Sequence, residues 1–127
     1  MTLQNKSKGG PELKMTWRRI DLHIHTPATK DYQEHNASYL DLLRKAEAAS
    51  LDIMAFTDHN TVAGYAAMMQ EISDLERWVS SDRLRPEEKN RLEEYRRLLA
   101  KILVLPGFEL TATFGFHVLG IFPPRTP

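Results

Sequence analysis

Apolar positions along this chain change rhythm several times, and each change marks an element. From Trp17 to Ile24 apolar and polar residues alternate over a short run, which predicts a first strand. "TPATKDYQEHN" follows without a period and carries Pro27, so it reads as a loop. Tyr39, Leu42, Leu43 and Ala46 recur at helical spacing and predict a helix from about Asn36 to Ser50, with Asn36 or Ser38 as its N-cap. "LDIMAFTD", residues 51–58, is apolar until its last two positions and suits a strand buried on both faces, as in a parallel sheet. A second helix is predicted from near Thr61 to about Ser80, with Met68, Met69, Ile72, Leu75 and Val79 as its apolar stripe. "RLRPEEKNRLEEYRRLLAK" reads as a third helix, with Pro86 in the first turn and glutamates after it, where the helix dipole favours them. "ILVLPGFE" predicts a third strand ending at Pro106-Gly107, and "TFGFHVLGIF" a fourth.

Strands alternating with helices predict an α/β layer of mainly parallel strands, with a helical hairpin inserted between the second and third. Trp78, Leu92, Tyr95, Leu98 and Leu99 are expected to pack that hairpin. Glu87–Arg91 and Glu93–Arg97 stand four apart, so the rest of the third helix reads as a solvated, salt-bridged surface. Residues 1–15 are polar around "KGGP" and read as a flexible leader to one domain over 16–127.

Composition narrows the chemistry. Seventeen basic and seventeen acidic side chains among 127 residues leave no net charge, so nothing indicates nucleic acid or a membrane surface as partner. The absence of cysteine excludes disulfides and thiolate–zinc sites, leaving His, Asp, Glu and backbone oxygen as metal ligands. No signal-peptide pattern opens the chain and no apolar run is long enough to span a membrane, which suggests a cytoplasmic setting.

The polar residues of interest gather at strand ends. Alternation places Asp21, His23 and His25 on one face of the first strand, with Leu22 and Ile24 on the other. Two imidazoles facing one point can hold a metal, with Asp21 steadying one of them; the alternative is a hydrogen-bonded structural pair. Asp58 and His59 stand where the second strand gives way to a helix, and ligands collect at such ends in parallel α/β folds. Asp58, Asn60 and Thr61 are all capping types, but one cap suffices, so His59 needs another reason. Glu109 lies between Phe108 and Leu110, where a carboxylate requires a partner, either a metal or an arginine. His117, between Phe116 and Val118, is either a further ligand or a satisfied core histidine. Of five histidines, His23, His25, His59 and His117 fall on or beside predicted strands, whereas residues 61–108 contain none.

"DLHIHT", "FTDHNTVAGY", "PGFEL" and "FHVLG", in that order, resemble the first motifs of the PHP (polymerase and histidinol phosphatase) family over residues 17–122. The resemblance implies the first half of a distorted (βα)7 barrel with two or three divalent ions (Zn, Mn or Fe), used in many members to hydrolyse phosphate esters. It implies His23 and His25 as ligands of a first metal, His59 of a second, His117 of a further one, and Glu109 as the bridging carboxylate. Asp58 would stand behind the ligands in support of catalysis, and Asp31 fits the spacing of a further ligand better than His35. The family's later histidine and Asp-x-His have no counterpart, so the chain reads as an N-terminal portion with an incomplete site and fewer metals.

The function so implied is that of a metal-dependent phosphoesterase acting on a phosphorylated small molecule or nucleotide through an activated water. The alternatives are a non-catalytic metal-binding or scaffolding module of a larger, ATPase-fused protein, and hydrolysis of another bond such as an amide. The remainder of a longer chain, or a second copy across an open sheet edge, is the expected partner.

Overall fold

The computed structural model describes residues 15–30, 32 and 36–124. Among them it forms a mixed α/β fold of four strands and three helices: β1 (Ile20–Ile24), α1 (Tyr39–Ala48), β2 (Ile53–His59), α2 (Ala63–Ser80), α3 (Pro86–Lys101), β3 (Leu103–Thr111) and β4 (His117–Ile121). The strands lie in the order β1-β2-β3-β4 in one curled sheet, with β1, β2 and β3 parallel and β4 antiparallel to β3. The element order matches the sequence expectation, including the helical hairpin between β2 and β3. No helix among the described residues is long and apolar enough to cross a membrane.

One face of the sheet carries the core. Met54 and Phe56 of β2 and Val104 of β3 meet Leu40, Leu43 and Ala46 of α1, Met68, Ile72 and Leu75 of α2, and Leu92, Tyr95 and Leu98 of α3. Strand alternation sends Ala55, Thr57 and His59, with their partners Leu105, Gly107 and Glu109, to the opposite face. The two faces therefore divide the labour, with cohesion on the helical side and the candidate site on the other.

Helix starts follow local chemistry. At α1 the Ser38 hydroxyl accepts the Asp41 N–H at 3.1 Å while the Asp41 carboxylate accepts the Ser38 N–H at 3.0 Å, a reciprocal cap that starts the helix at Tyr39 rather than Asn36. Asn60 takes the left-handed conformation that asparagine tolerates (φ 55°), and Thr61 Oγ1 accepts the Ala63 N–H at 3.0 Å, so α2 begins at Ala63.

Three expectations are corrected. Pro106-Gly107 does not end the third strand, which runs through to Thr111. The Pro106 carbonyl accepts the Phe122 N–H, so its nitrogen faces the β4 side just past the last pair, Gly107–Ile121, where no ladder donor is needed. A β-carbon on Gly107 would collide with the Gly120 carbonyl, so glycine lets β4 approach. The arginines of α3 do not form the expected pairs with Glu87 and Glu93. Arg91 and the Tyr95 hydroxyl both donate to Glu71 of α2, and Arg97 grips Glu47 of α1 at 2.6 and 3.0 Å, joined there by Lys101 at 3.0 Å. Arg91, Arg97 and Lys101 thus cross-link α3 to its neighbours, and Arg97 also bonds Glu94 within α3 at 2.9 and 3.0 Å. Finally, Met69, Trp78 and Val79 are exposed; Tyr65 takes a place in the α2 stripe instead.

Two predictions follow from this packing. Leu98→Ala, at a site with no exposure, should lower unfolding free energy in urea by about 2–5 kcal/mol, against about 1 kcal/mol for Ser38→Ala at the cap. Hydrogen bonds from Arg97 and Lys101 hold the Glu47 carboxyl down at about 2, below its ordinary 4.5. A depressed folded value contributes stability above the ordinary value, and that contribution fades as pH falls from 4.5 toward 2. Glu47→Gln should therefore flatten this part of the acid-stability curve, with the difference from wild type shrinking in high salt.

Candidate metal centre

Glu109 is the pivot. Its side chain is 3% exposed, and four imidazoles face its two oxygens. Nε2 of His25 lies 2.7 Å, Nε2 of His23 3.1 Å and Nδ1 of His59 3.4 Å from Oε2. Nδ1 of His117 lies 2.9 Å from Oε1. The His25 ring stands edge-on to His23 (centroids 5.2 Å) and to His59 (4.6 Å). The cluster opens outward: the imidazoles are between 30 and 55% exposed around the buried carboxylate.

Each residue arrives by a separate backbone device. The parallel register of β2 and β3 sets His59 directly opposite Glu109. The β3–β4 hairpin pairs His117 with Thr111, two residues beyond Glu109 and on its face. In β1 the register slips by one residue, because Asp21 pairs with Met54 and Ile24 with Phe56. With Ile24 in the helical core, His23 and His25 turn to the open face.

That slip corrects the reading of Asp21. Simple alternation put it beside the histidines, but its carboxylate accepts the backbone N–H of His23 at 3.1 Å and touches no imidazole. Asp31 and His35 lie outside the described residues.

Burial pushes the Glu109 carboxyl up, while hydrogen bonds from His23 and His25 and the charges of His23 and His59 more than offset this and hold it below its ordinary value. The donor set itself suits a cation. A carboxylate oxygen accepts about two good hydrogen bonds, yet three imidazole nitrogens converge on Oε2. His23, His25 and Glu109 each offer a ligand atom, and those atoms lie within 4.8 Å of one another, a group that can hold a metal ion. Nitrogen and carboxylate donors of this kind suit first-row divalent metals.

Asp58 is placed elsewhere. It shares the helix-facing side of β2 with Met54 and Phe56 and is 1% exposed. Its Oδ1 accepts the Thr26 N–H at 2.7 Å and the Thr29 hydroxyl at 2.5 Å, and its Oδ2 accepts the Thr26 hydroxyl at 2.8 Å. It neither touches the cluster nor caps α2. Sequence reasoning missed Thr26, Thr29 and Gly64 as its surroundings. The signal was there in the period of β2, since a carboxylate two positions after Phe56 falls on the buried face and needs donors. A β-carbon at Gly64 would collide with both Thr26 Oγ1 and Asp58 Oδ2, so glycine lets the first turn of α2 close over this knot.

Gly64→Ala should therefore cost more than the gain in helix propensity of about 1 kcal/mol can offset, lowering the thermal midpoint, whereas Ala66→Gly two residues later, at an exposed position, should cost about 1 kcal/mol by propensity alone. No family model, no curated protein and no solved structure matches this chain.

Proposed function

We propose that this chain carries the metal-binding part of a PHP-type domain and serves a metal-dependent phosphoesterase. The observation that supports this best is a buried carboxylate whose two oxygens are faced by His23, His25, His59 and His117. The four-stranded half-barrel with its residues of interest at the C-terminal ends of parallel strands agrees with that reading. Glu109, reached on one oxygen by three imidazoles and on the other by a fourth, is the residue suited to bridge two ions. His23 and His25 would hold one ion, His59 and His117 the other side of the bridge. When bound, such ions supply Lewis-acid polarisation of a phosphoryl oxygen and activation of water.

The remaining work falls to the chain. The Glu109 carboxylate lies almost wholly out of bulk water behind the four imidazoles, which strengthens its hold on a cation. The exposed imidazole edges leave the open side of the cluster accessible to a phosphorylated substrate. Thr111 Oγ1, 3.5 Å from His117 Nδ1, stands beside that ring.

Purified protein loaded with Zn²⁺ or Mn²⁺ and desalted should retain metal by elemental mass spectrometry. Glu109→Gln, which keeps the side-chain shape, and His25→Ala should each weaken retention at least tenfold while circular dichroism stays native. The loaded protein is then offered phosphomonoesters, nucleotides and acyl amides; phosphate release that Glu109→Gln abolishes is the expected result. Retention unchanged in both variants sinks the metal reading. Retention without turnover of any phosphate ester leaves a metal-binding module and rejects the phosphoesterase.

A further inference from the structure

We propose that Asp58 is a positioning residue for the metal cluster, acting through Thr26 on His25; the proposal rests on the metal reading of that cluster. The strand ladder alone does not hold His25. β1 ends at Ile24, whose partner is Phe56, so His25 lies one residue past the last paired position. The next peptide is held by a side chain instead. Asp58 Oδ1 takes the Thr26 N–H at 2.7 Å, and that N–H belongs to the planar peptide joining His25 to Thr26. Fixing the plane fixes ψ of His25 and hence the direction in which its imidazole leaves the chain.

The grip is made at several points. Thr26 donates its hydroxyl to the other carboxylate oxygen at 2.8 Å, and Thr29 adds a hydroxyl at 2.5 Å across the turn closed by Thr29 N–H to Thr26 C=O. Thr26 and Asp58 are almost wholly buried, so water does not compete for these bonds. Asp58 also precedes His59 in β2. One carboxylate therefore ties the peptide after one proposed ligand to the residue before another, and the two rings it serves lie 4.6 Å apart. Asp58 touches neither ring and has no place in the chemistry itself. Its effect is on where the nitrogens stand, as outer hydrogen-bond partners of metal ligands commonly are, at a cost of about 10–100-fold in affinity when lost.

The experiment compares metal affinity and ring geometry in four variants. Asp58→Asn removes one of the acceptor oxygens, and Thr26→Val removes the hydroxyl while keeping the N–H. Thr26→Ser keeps both donors, and Leu92→Ala destabilises the core far from the cluster. Zn²⁺ affinity is measured by chelator competition, and urea midpoints report stability. Asp58→Asn is expected to lose at least tenfold in affinity and Thr26→Val a smaller factor. Thr26→Ser and Leu92→Ala should stay within about threefold of wild type, although Leu92→Ala is the less stable protein. Affinity that tracks stability across the set, with Leu92→Ala as weak as Asp58→Asn, overturns the proposal. Nuclear Overhauser contacts between the His25 and His59 rings, read in metal-free protein, separate this outcome from failure of the metal reading. Their loss in Asp58→Asn supports the positioning role even if wild type binds no Zn²⁺; their persistence in a folded Asp58→Asn overturns it. If Asp58→Asn does not fold, the same contacts in Thr26→Val decide in the same way.

Discussion

Burying the Glu109 carboxylate is the constraint on which the open face of this protein depends. A charge taken out of water costs several kcal/mol unless partners meet it, and among the described residues no arginine or lysine pairs with it. Four histidines do it instead, drawn from β1, β2 and β4. Three backbone features bring them into reach: a register slip for His23 and His25, a parallel pairing for His59 and a hairpin for His117. The local irregularities of the sheet and the charge at its centre are therefore linked, because the slip and the hairpin bring imidazoles to that carboxylate.

Asp58 shows the same constraint met on the other face. Strand alternation points it toward the helices, where the hydroxyls of Thr26 and Thr29 meet it under α2. Thr26 and Thr29 supply three donors, and Gly64 removes the β-carbon that would fill the space. The two carboxylates stand on neighbouring strands, Asp58 beside Phe108 and His59 beside Glu109 in the register, yet their chemistry diverges. Asp58 accepts three hydrogen bonds from buried threonines. Glu109 is surrounded by nitrogens whose lone pairs can also serve a cation.

Much of this was legible in the residues. The order of strands and helices followed from apolar periodicity, and the convergence of His23, His25, His59, Glu109 and His117 followed from their shared position at strand ends. What was not legible depended on register. The slip in β1 that turns Asp21 away cannot be read from "IDLHI", because alternation within one strand says nothing about an extra residue against its neighbour. Pro106 looked like a terminator because its missing N–H is a penalty only on a side where a donor is needed, and which side that is depends on where β4 stops. The arginines of α3 were assigned to partners four residues away, since sequence reports spacing along one helix and not the nearness of Glu47 and Glu71 on two others.

The division between faces carries a consequence for how stability and site geometry are connected. The main apolar cluster lies on the helical side, whereas the groups that face Glu109 lie on the other. Between the two faces β2 and β3 stay paired residue by residue from Ile53–Leu103 to His59–Glu109. The exception is the point where the ladder runs out. Beyond Ile24 the chain is held from the helical face, by a carboxylate under the first turn of α2, while its imidazole works on the other. At that point the chain is gripped from both faces, by Asp58 on the peptide after His25 and by Glu109 of β3 on its ring.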